Sequence, residues 1–583
     1  MTSHDPAFLH RLQQTNLQLL CYFRDFCQAH HLRFYLCGGG CIGAVRDGGF
    51  IPWDDDVDVF MPRPDYETLK QIWNTQADPR YYCQCSTADC VDRVPFLSVR
   101  DLQTTCVKRE QADLDIPHGV ALDVLPLDGC PSGFARKKQK LWALLFMLFN
   151  TSRVPENHGR LVTLGGKILL SMVPRKRRFA LSKRLEQKMT QLEFGSTPLV
   201  TELCSGPHYL QMEYPYSVIA DAKQISFAGQ PMPVPADADG YLRRAFGDYM
   251  TPPPPEQQVP HHDFVYFNLE LPAAEYANLR RQSTQGMVLE GEALHRLQAK
   301  TLELFKRLEQ YCKQHGLRMY LCGGGCIGAV REQGFIPWDD DLDIFMPRPD
   351  YERLCSLLEQ EQPQGLCCQR TGTSLYTRLQ FAAVSDEQTT FIKLRQQDLE
   401  LSHGIRIDVL PLDGCPDSRF ARKLQIFRAL LRSMYIVGEP HTSKGKALEL
   451  ISRFLLWLHP TYESKLRAAA RCERKMTRYS FDKSQKVTEL CTWFQYMRNE
   501  YPTEWFSSAV ELPFEHTTVS VPAGYDGYLR MAFGDYMTPP PPEQRIPKHE
   551  IAYCDIDNPY HVYKGLYYCT NGTANHRKED ETI

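Results

Sequence analysis

Residues 32–67 of this chain recur at residues 317–352 with only five exchanges in 36 positions: Phe34/Met319, Asp47/Glu332, Gly48/Gln333, Val57/Leu342 and Val59/Ile344. A constant offset of 285, as from Asp56 to Asp341, runs from the first helix past Asp123/Asp408. The repeat limits the fold to two similar units, although 583 residues by length alone would suggest three or four domains. We expect a first domain over residues 1–280, a second over 281–570 and a disordered polar tail over 571–583. Outside the repeated stretch the halves diverge, and residues 140–200 share little with 425–485.

Within each copy the pattern reads as strand, glycine turn, short helix, loop, strand. Residues 33–37 form the first strand. Gly38, Gly39 and Gly40 (Gly323, Gly324 and Gly325) form the turn. Asp56 and Asp58 (Asp341 and Asp343) belong to the second strand, where residues two apart share a face. Adjacent carboxylates repel unless a cation lies between them. A hard divalent ion, Mg²⁺ or Mn²⁺, takes oxygen ligands and brings phosphates with it. The glycines let backbone N–H groups approach those phosphates. A third acid, Asp123 (Asp408), stands on the apolar strand Val120, Leu122, Val124. Asp54 (Asp339) shares the face of Asp56 and is a further metal-ligand candidate, whereas Asp55 is read as a turn cap. Arg46 (Arg331) follows the glycine turn and Lys108 (Lys393) precedes the third acid. Both are candidate phosphate partners. His118 (His403) is read as structural, and Asp128-Gly129 as a turn.

Gly43-Ala-Val-Arg46, Phe50-Ile-Pro-Trp-Asp-Asp-Asp-Val-Asp58 and Asp65-Tyr66 resemble the LicD phosphocholine-transferase family, relatives of the fukutin proteins. The resemblance implies an α+β nucleotidyltransferase fold, two tandem copies, each a small mixed sheet flanked by helices with a helical insert. It implies CDP-choline as the donor and a cell-surface or lipid-linked glycan hydroxyl as the acceptor, with CMP released. Nucleotidyl transfer to a sugar, RNA or protein, with pyrophosphate released, would use the same acids. A third alternative makes one half a non-catalytic binding module.

The net charge of −3 lacks the basic signature of a nucleic-acid binder. The start Met1-Thr-Ser-His-Asp5 has no signal-peptide pattern, so we expect a cytoplasmic protein. The 21 cysteines then read as free thiols, and Cys37 and Cys41 as small packing residues. Asn571-Gly-Thr573 fits a glycosylation acceptor, without meaning in that compartment. Residues 134–190 read as two apolar, basic helices. The plainer reading is a helical subdomain; the functional one is a peripheral contact with the inner face of a membrane. Each half ends in a shared block, Gly240–Gln257 and Gly527–Gln544, followed by His262 and His549. Its Tyr249 and Tyr536 read as core aromatics. Arg100 stands where the second half has Ser385, so the two halves, an intramolecular pseudo-dimer, are expected to differ in acceptor recognition if that arginine meets substrate.

Overall fold

The computed structural model describes residues 6–91, 93–152, 160–260, 262–372, 378–440 and 446–570. The expected tail, Asn571-Gly-Thr573 and the side chains of Arg175 and Lys176 lie outside the described residues. The chain divides into two compact units, residues 1–279 and 280–569. Both are mixed α+β.

In the first unit, α1 (Pro6–Ala29) buries Leu12, Leu19, Leu20 and Phe23 along one stripe, as its periodicity requires. Strand β1 (Tyr35–Cys37) runs into α2 (Gly38–Arg46), then β2 (Asp58–Pro62) and α3 (Arg63–Gln76). Next come β3 (Tyr81–Gln84), β4 (Leu97–Asp101), β5 (Thr105–Lys108) and β6 (Val120–Gly129). The sheet order is β1-β2-β6-β4-β3, with only β2 and β6 parallel. The second unit repeats this sheet, with strands Leu342–Pro347 and Ile405–Gly414 at its centre.

The central strand is longer than its apolar pattern suggested. Asp128-Gly129, expected to turn, remain in β6 and pair with the strand Leu199–Glu202. Asp128 is fully buried and accepts two bonds from Arg63, at 2.8 and 2.7 Å; Arg348 and Asp413 repeat the pair. A buried carboxylate needs such a partner, and that need overrides the turn preference of the dipeptide. Asp65 lies in the first turn of α3, whose N-cap is Pro62, and binds Arg33 at 2.8 Å.

The insert holds three helices, not two: Gly133–Thr151, Arg160–Met172 and Arg175–Met189. The first and third pack on one another around Phe146, Leu185 and Met189. Beyond the insert the chain returns to the sheet and forms the helix Ala238–Phe246 and the strand Phe264–Asn268. That last strand pairs antiparallel with β5, placing Phe264 opposite Lys108. Among the described residues no helix is long and apolar enough to cross a membrane. None of the 21 cysteines, all of them among the described residues, is joined in a disulfide.

Candidate active site

Register across the sheet assembles the site. Asp58 of β2 lies directly opposite Asp123 of β6, which lies opposite Ser98 of β4. Directly paired residues point to one face. The loop before β2 adds Asp54, Asp55 and Asp56, and α1 fixes that loop by its backbone. Gln13 donates to the Ile51 and Asp54 carbonyls at 3.2 and 2.9 Å, and Asn16 donates to that of Asp55 at 3.1 Å. In the second unit Gln298 makes the corresponding bonds to Ile336 and Asp339.

The glycine turn meets these acids. Gly38 has φ +51°, and its N–H donates to the Tyr241 hydroxyl at 3.0 Å. A Cβ on Gly39 would stand 2.2 Å from Oδ2 of Asp54, and one on Gly324 would stand 2.1 Å from Oδ2 of Asp339. Only glycine leaves room there, so this residue seats a carboxylate at the start of α2.

Asp55 and His262 belong to the same cluster and were not legible as site residues. His262 reaches it because the strand that follows it is zipped to β5. Its backbone N–H donates to Oδ2 of Asp55 at 3.0 Å, its Nδ1 lies 2.9 Å from Oδ1, and its Nε2 faces Oδ2 of Asp56 at 3.6 Å. His549 repeats this with Asp340 at 2.8 Å and Asp341 at 3.7 Å. Asp55, Asp56 and His262, and likewise Asp340, Asp341 and His549, each offer a ligand atom within 4.8 Å of the others. The one available signal was that His262 and His549 follow the proline block at equal spacing.

Burial, then Asp56 and Asp55, push the Asp54 carboxyl up to about 8; Asp339 is raised to about 7 by burial and then Asp341. Asp58 is raised by burial and by Asp56 and Asp123. Asp123 goes the other way: Lys108, the Ser98 hydroxyl and Arg100 outweigh burial and hold it below the usual carboxylate range. Lys108 Nζ lies 3.6 Å from Oδ2 of Asp123, and Ser98 donates to Oδ1.

Arg46 lies beside the site and is occupied. It binds Asp47, donates to the Tyr249 carbonyl at 3.0 Å and sits over the Trp53 ring. Arg331 binds Glu332 and the Tyr536 carbonyl at 2.8 Å in the same way. Tyr249 and Tyr536 are buried, each with its hydroxyl on an aspartate. His118 and His403 are buried against the carbonyls of Leu114 and Leu399.

Arg100 is buried and acts on Asp123 through its charge, while its guanidinium binds elsewhere. It is 2 % exposed, donates to Gln111 Oε1 at 3.0 Å and faces the Gly119 carbonyl. Its cross-strand partner is Ala121. In the second unit Ser385 stands opposite Arg406, which donates to Gln396 at 3.1 Å. The arginine has thus moved one strand over while keeping the equivalent glutamine. From its new position Arg406 places Nε 3.0 Å from Oδ1 of Asp408. Ser98 is replaced by Ala383, and Lys393 lies 2.9 Å from His549 Nε2. A small cleft lined by Asp340, Asp341, Asp343, Lys393, Arg406 and Asp408 opens here.

The family model described as "LicD/FKTN/FKRP, nucleotidyltransferase domain" matches residues 31–96 and 316–412. Each half thus contains a stretch that matches this family model. The chain is 25 % identical over 265 residues to the lipopolysaccharide cholinephosphotransferase LicD of Haemophilus influenzae, covering 42 % of this chain and 92 % of that protein. It is 35 % identical over 63 residues to the uncharacterized protein RP689 of Rickettsia prowazekii, covering 11 % of this chain and 24 % of that one. Both LicD-type matches include the glycine turn and the first acids, and the second extends through Asp408.

Proposed function

We propose that this chain transfers a phospho-head group, phosphocholine in the first instance, from a CDP-linked donor to a glycan hydroxyl, releasing CMP. The observation that carries this reading is the duplicated cluster in which three carboxylates and a histidine converge beside a lysine. The likeness to a lipopolysaccharide cholinephosphotransferase supports the donor and acceptor class. A CDP-linked donor places the reaction in the cytoplasm.

The donor set fits a divalent ion such as Mg²⁺ or Mn²⁺. It is rich in carboxylate oxygens, several are raised by burial and by mutual repulsion, and the buried Oδ2 of Asp340 and Oδ1 of Asp408 have no hydrogen-bond partner among the described residues. Asp56, Asp58 and Asp123, with Asp341, Asp343 and Asp408, would hold it, with Asp54, Asp339, His262 and His549 at the margin. Bound there, such an ion supplies Lewis-acid stabilisation of phosphate charge.

The chain's own groups do the rest. Asp55 grips His262 by backbone and ring, so Nε2 stays aimed at the acids. Lys108 and Lys393, on stems that can swing from carboxylate to phosphate, neutralise the donor's diphosphate. The amides of Gly39 and Gly40, and of Gly324 and Gly325, present the start of a helix to it. Asp123 or Asp408 takes the proton from the attacking hydroxyl, the role of a carboxylate placed beside the nucleophile in phosphoryl transfer. Arg46 and Arg331 act at one remove, by tying the helix after the glycine turn to Tyr249 and Tyr536.

The test is product analysis with CDP-choline, Mg²⁺ and a lipopolysaccharide or teichoic-acid acceptor. CMP and a choline-bearing glycan are expected. Pyrophosphate release from a nucleoside triphosphate, with no CMP from CDP-choline, would replace this reading with nucleotidyl transfer.

A further inference from the structure

The second helix of each insert presents its large apolar residues outward. On Arg160–Met172, Leu164, Ile168 and Met172 stand one turn apart and are exposed, Met172 to 72 %. On Lys446–Trp457, Leu450, Phe454 and Trp457 do the same, Trp457 also to 72 %, while Ser452 is buried. A helix whose outer face met only water would place that serine outside and the tryptophan inside. The two inserts share little sequence, yet both keep this inverted face. Descent alone does not explain the same exposure in sequences that have drifted so far.

Charge identifies the occupant. Residues 133–189 hold 14 lysines and arginines against two acids, and residues 419–476 hold 13 against four, in a chain whose net charge is −3. Some are used internally: Arg136 pairs with Glu213 and Arg432 with Glu473. Others are exposed, among them Lys137, Lys167 and Arg177 in the first insert and Lys423, Arg471 and Lys475 in the second. Exposed apolar side chains on a subdomain this rich in exposed lysine and arginine match a bilayer that carries anionic headgroups. A second copy of this chain would bring the same positive charge to the contact and repel.

We infer that each insert docks on an anionic lipid surface, with the outer faces of Arg160–Met172 and Lys446–Trp457 entering the headgroup layer. This inference rests on the inserts alone and stands whether or not the chain transfers phosphocholine. The probe is vesicles containing phosphatidylglycerol, with pure phosphatidylcholine vesicles as the control, in co-sedimentation at low salt. The full chain should pellet with the first and remain in solution with the second. Adding salt should weaken binding several-fold by screening the basic side chains of the inserts.

Ile168→Gln with Met172→Gln, and separately Phe454→Gln with Trp457→Gln, should each weaken partitioning, and together by at least tenfold. These side chains are exposed, so melting temperature should not fall; an unchanged Tm separates lost docking from lost folding. The inference is overturned if the wild-type chain stays in solution with anionic vesicles, or if the quadruple variant pellets equally well. It is also overturned if the quadruple substitution changes only the oligomeric state, which would assign the face to a second copy.

Discussion

The displaced arginine makes the two sites unequal toward a divalent ion. In the second unit Arg406 Nε lies 3.0 Å from Oδ1 of Asp408. At an effective dielectric of about 20, unit charges at that distance attract by about 5 kcal/mol before solvation is counted. The contact is an ion pair without hydrogen-bond geometry, since neither Arg406 Nε nor Asp408 Oδ1 has a hydrogen-bond partner among the described residues. After desolvation, close charge pairs of this kind are coupled by about 1.5 kcal/mol or more. An ion that recruits Asp408 must displace that much, whereas in the first unit the guanidinium of Arg100 is turned to Gln111 and Gly119. The lysines differ as well, Lys108 facing Asp123 at 3.6 Å and Lys393 turned to His549 at 2.9 Å, but a lysine stem can move from a carboxylate to a phosphate. At about 1.4 kcal/mol per decade, the second site should bind Mn²⁺ roughly 10-fold or more weakly still than the first. Asp56→Asn with Asp58→Asn leaves only the second site, and Asp341→Asn with Asp343→Asn leaves only the first. Titration of each by Mn²⁺ electron paramagnetic resonance gives the two affinities. Ser385→Arg with Arg406→Ala, which transplants the first arrangement into the second half, should recover most of the difference. Equal affinities, or a transplant without effect, would refute the argument; no binding at either site would remove the metal assignment itself.

Asp55→Asn removes the charge that orients His262 and should lower first-site turnover at least tenfold, with donor KM changed little, measured by CMP release in an Asp341→Asn background; a change in KM alone would assign His262 to donor binding. Arg63→Met strands the buried Asp128 carboxylate and should cost about 3–5 kcal/mol in urea unfolding; adding Asp128→Leu should recover much of it, and failure to recover would mean that packing, not charge, was lost. Burial raises Glu202 and Glu489 from 4.5 to about 7, against the bonds from Tyr214 and Tyr501. Because the folded value lies above the unfolded one, their contribution is full below about pH 4.5 and lost as pH rises through 7, by about 3 kcal/mol each. Glu202→Gln with Glu489→Gln should therefore flatten the fall in Tm between pH 5 and 8, and a variant whose Tm follows the wild type would contradict the burial account.

The repeated stretch made much of the fold legible because its signals are local. Gly38 to Gly40 after an apolar strand, and Asp58 at the start of another, need only the period of a strand and the room a glycine leaves. Asp55 and His262 were not legible as a pair. They lie about two hundred residues apart and meet only because the strand Phe264–Asn268 pairs with β5. Asp128 failed as a turn for a similar reason: its partner Arg63 is invisible until β2 and β6 lie side by side. The insert was misread in helix number because its outer face is apolar, so hydrophobic periodicity could not mark which side is packed.

The exchange of Arg100 for Ser385 shows why a substitution has to be read through strand pairing. Taken alone, it suggested that one site had lost an arginine. The exchange of Ala121 for Arg406 is equally visible in the sequence, 21 residues further on in each half. Nothing in the sequence couples the two until β4 and β6 are known to be antiparallel with these positions opposed. Once they are coupled, the change is a relocation that preserves the bond to Gln111 or Gln396 and alters only what the third acid touches. Asp123 has a hydroxyl and a lysine, which can yield to an ion or a phosphate. Asp408 has an arginine on its own strand, two residues away on the same face, and that arginine remains charged. Arg406 is also held by Gln396 at 3.1 Å, so the difference between the halves is built into the sheet and should persist whatever donor or acceptor is bound.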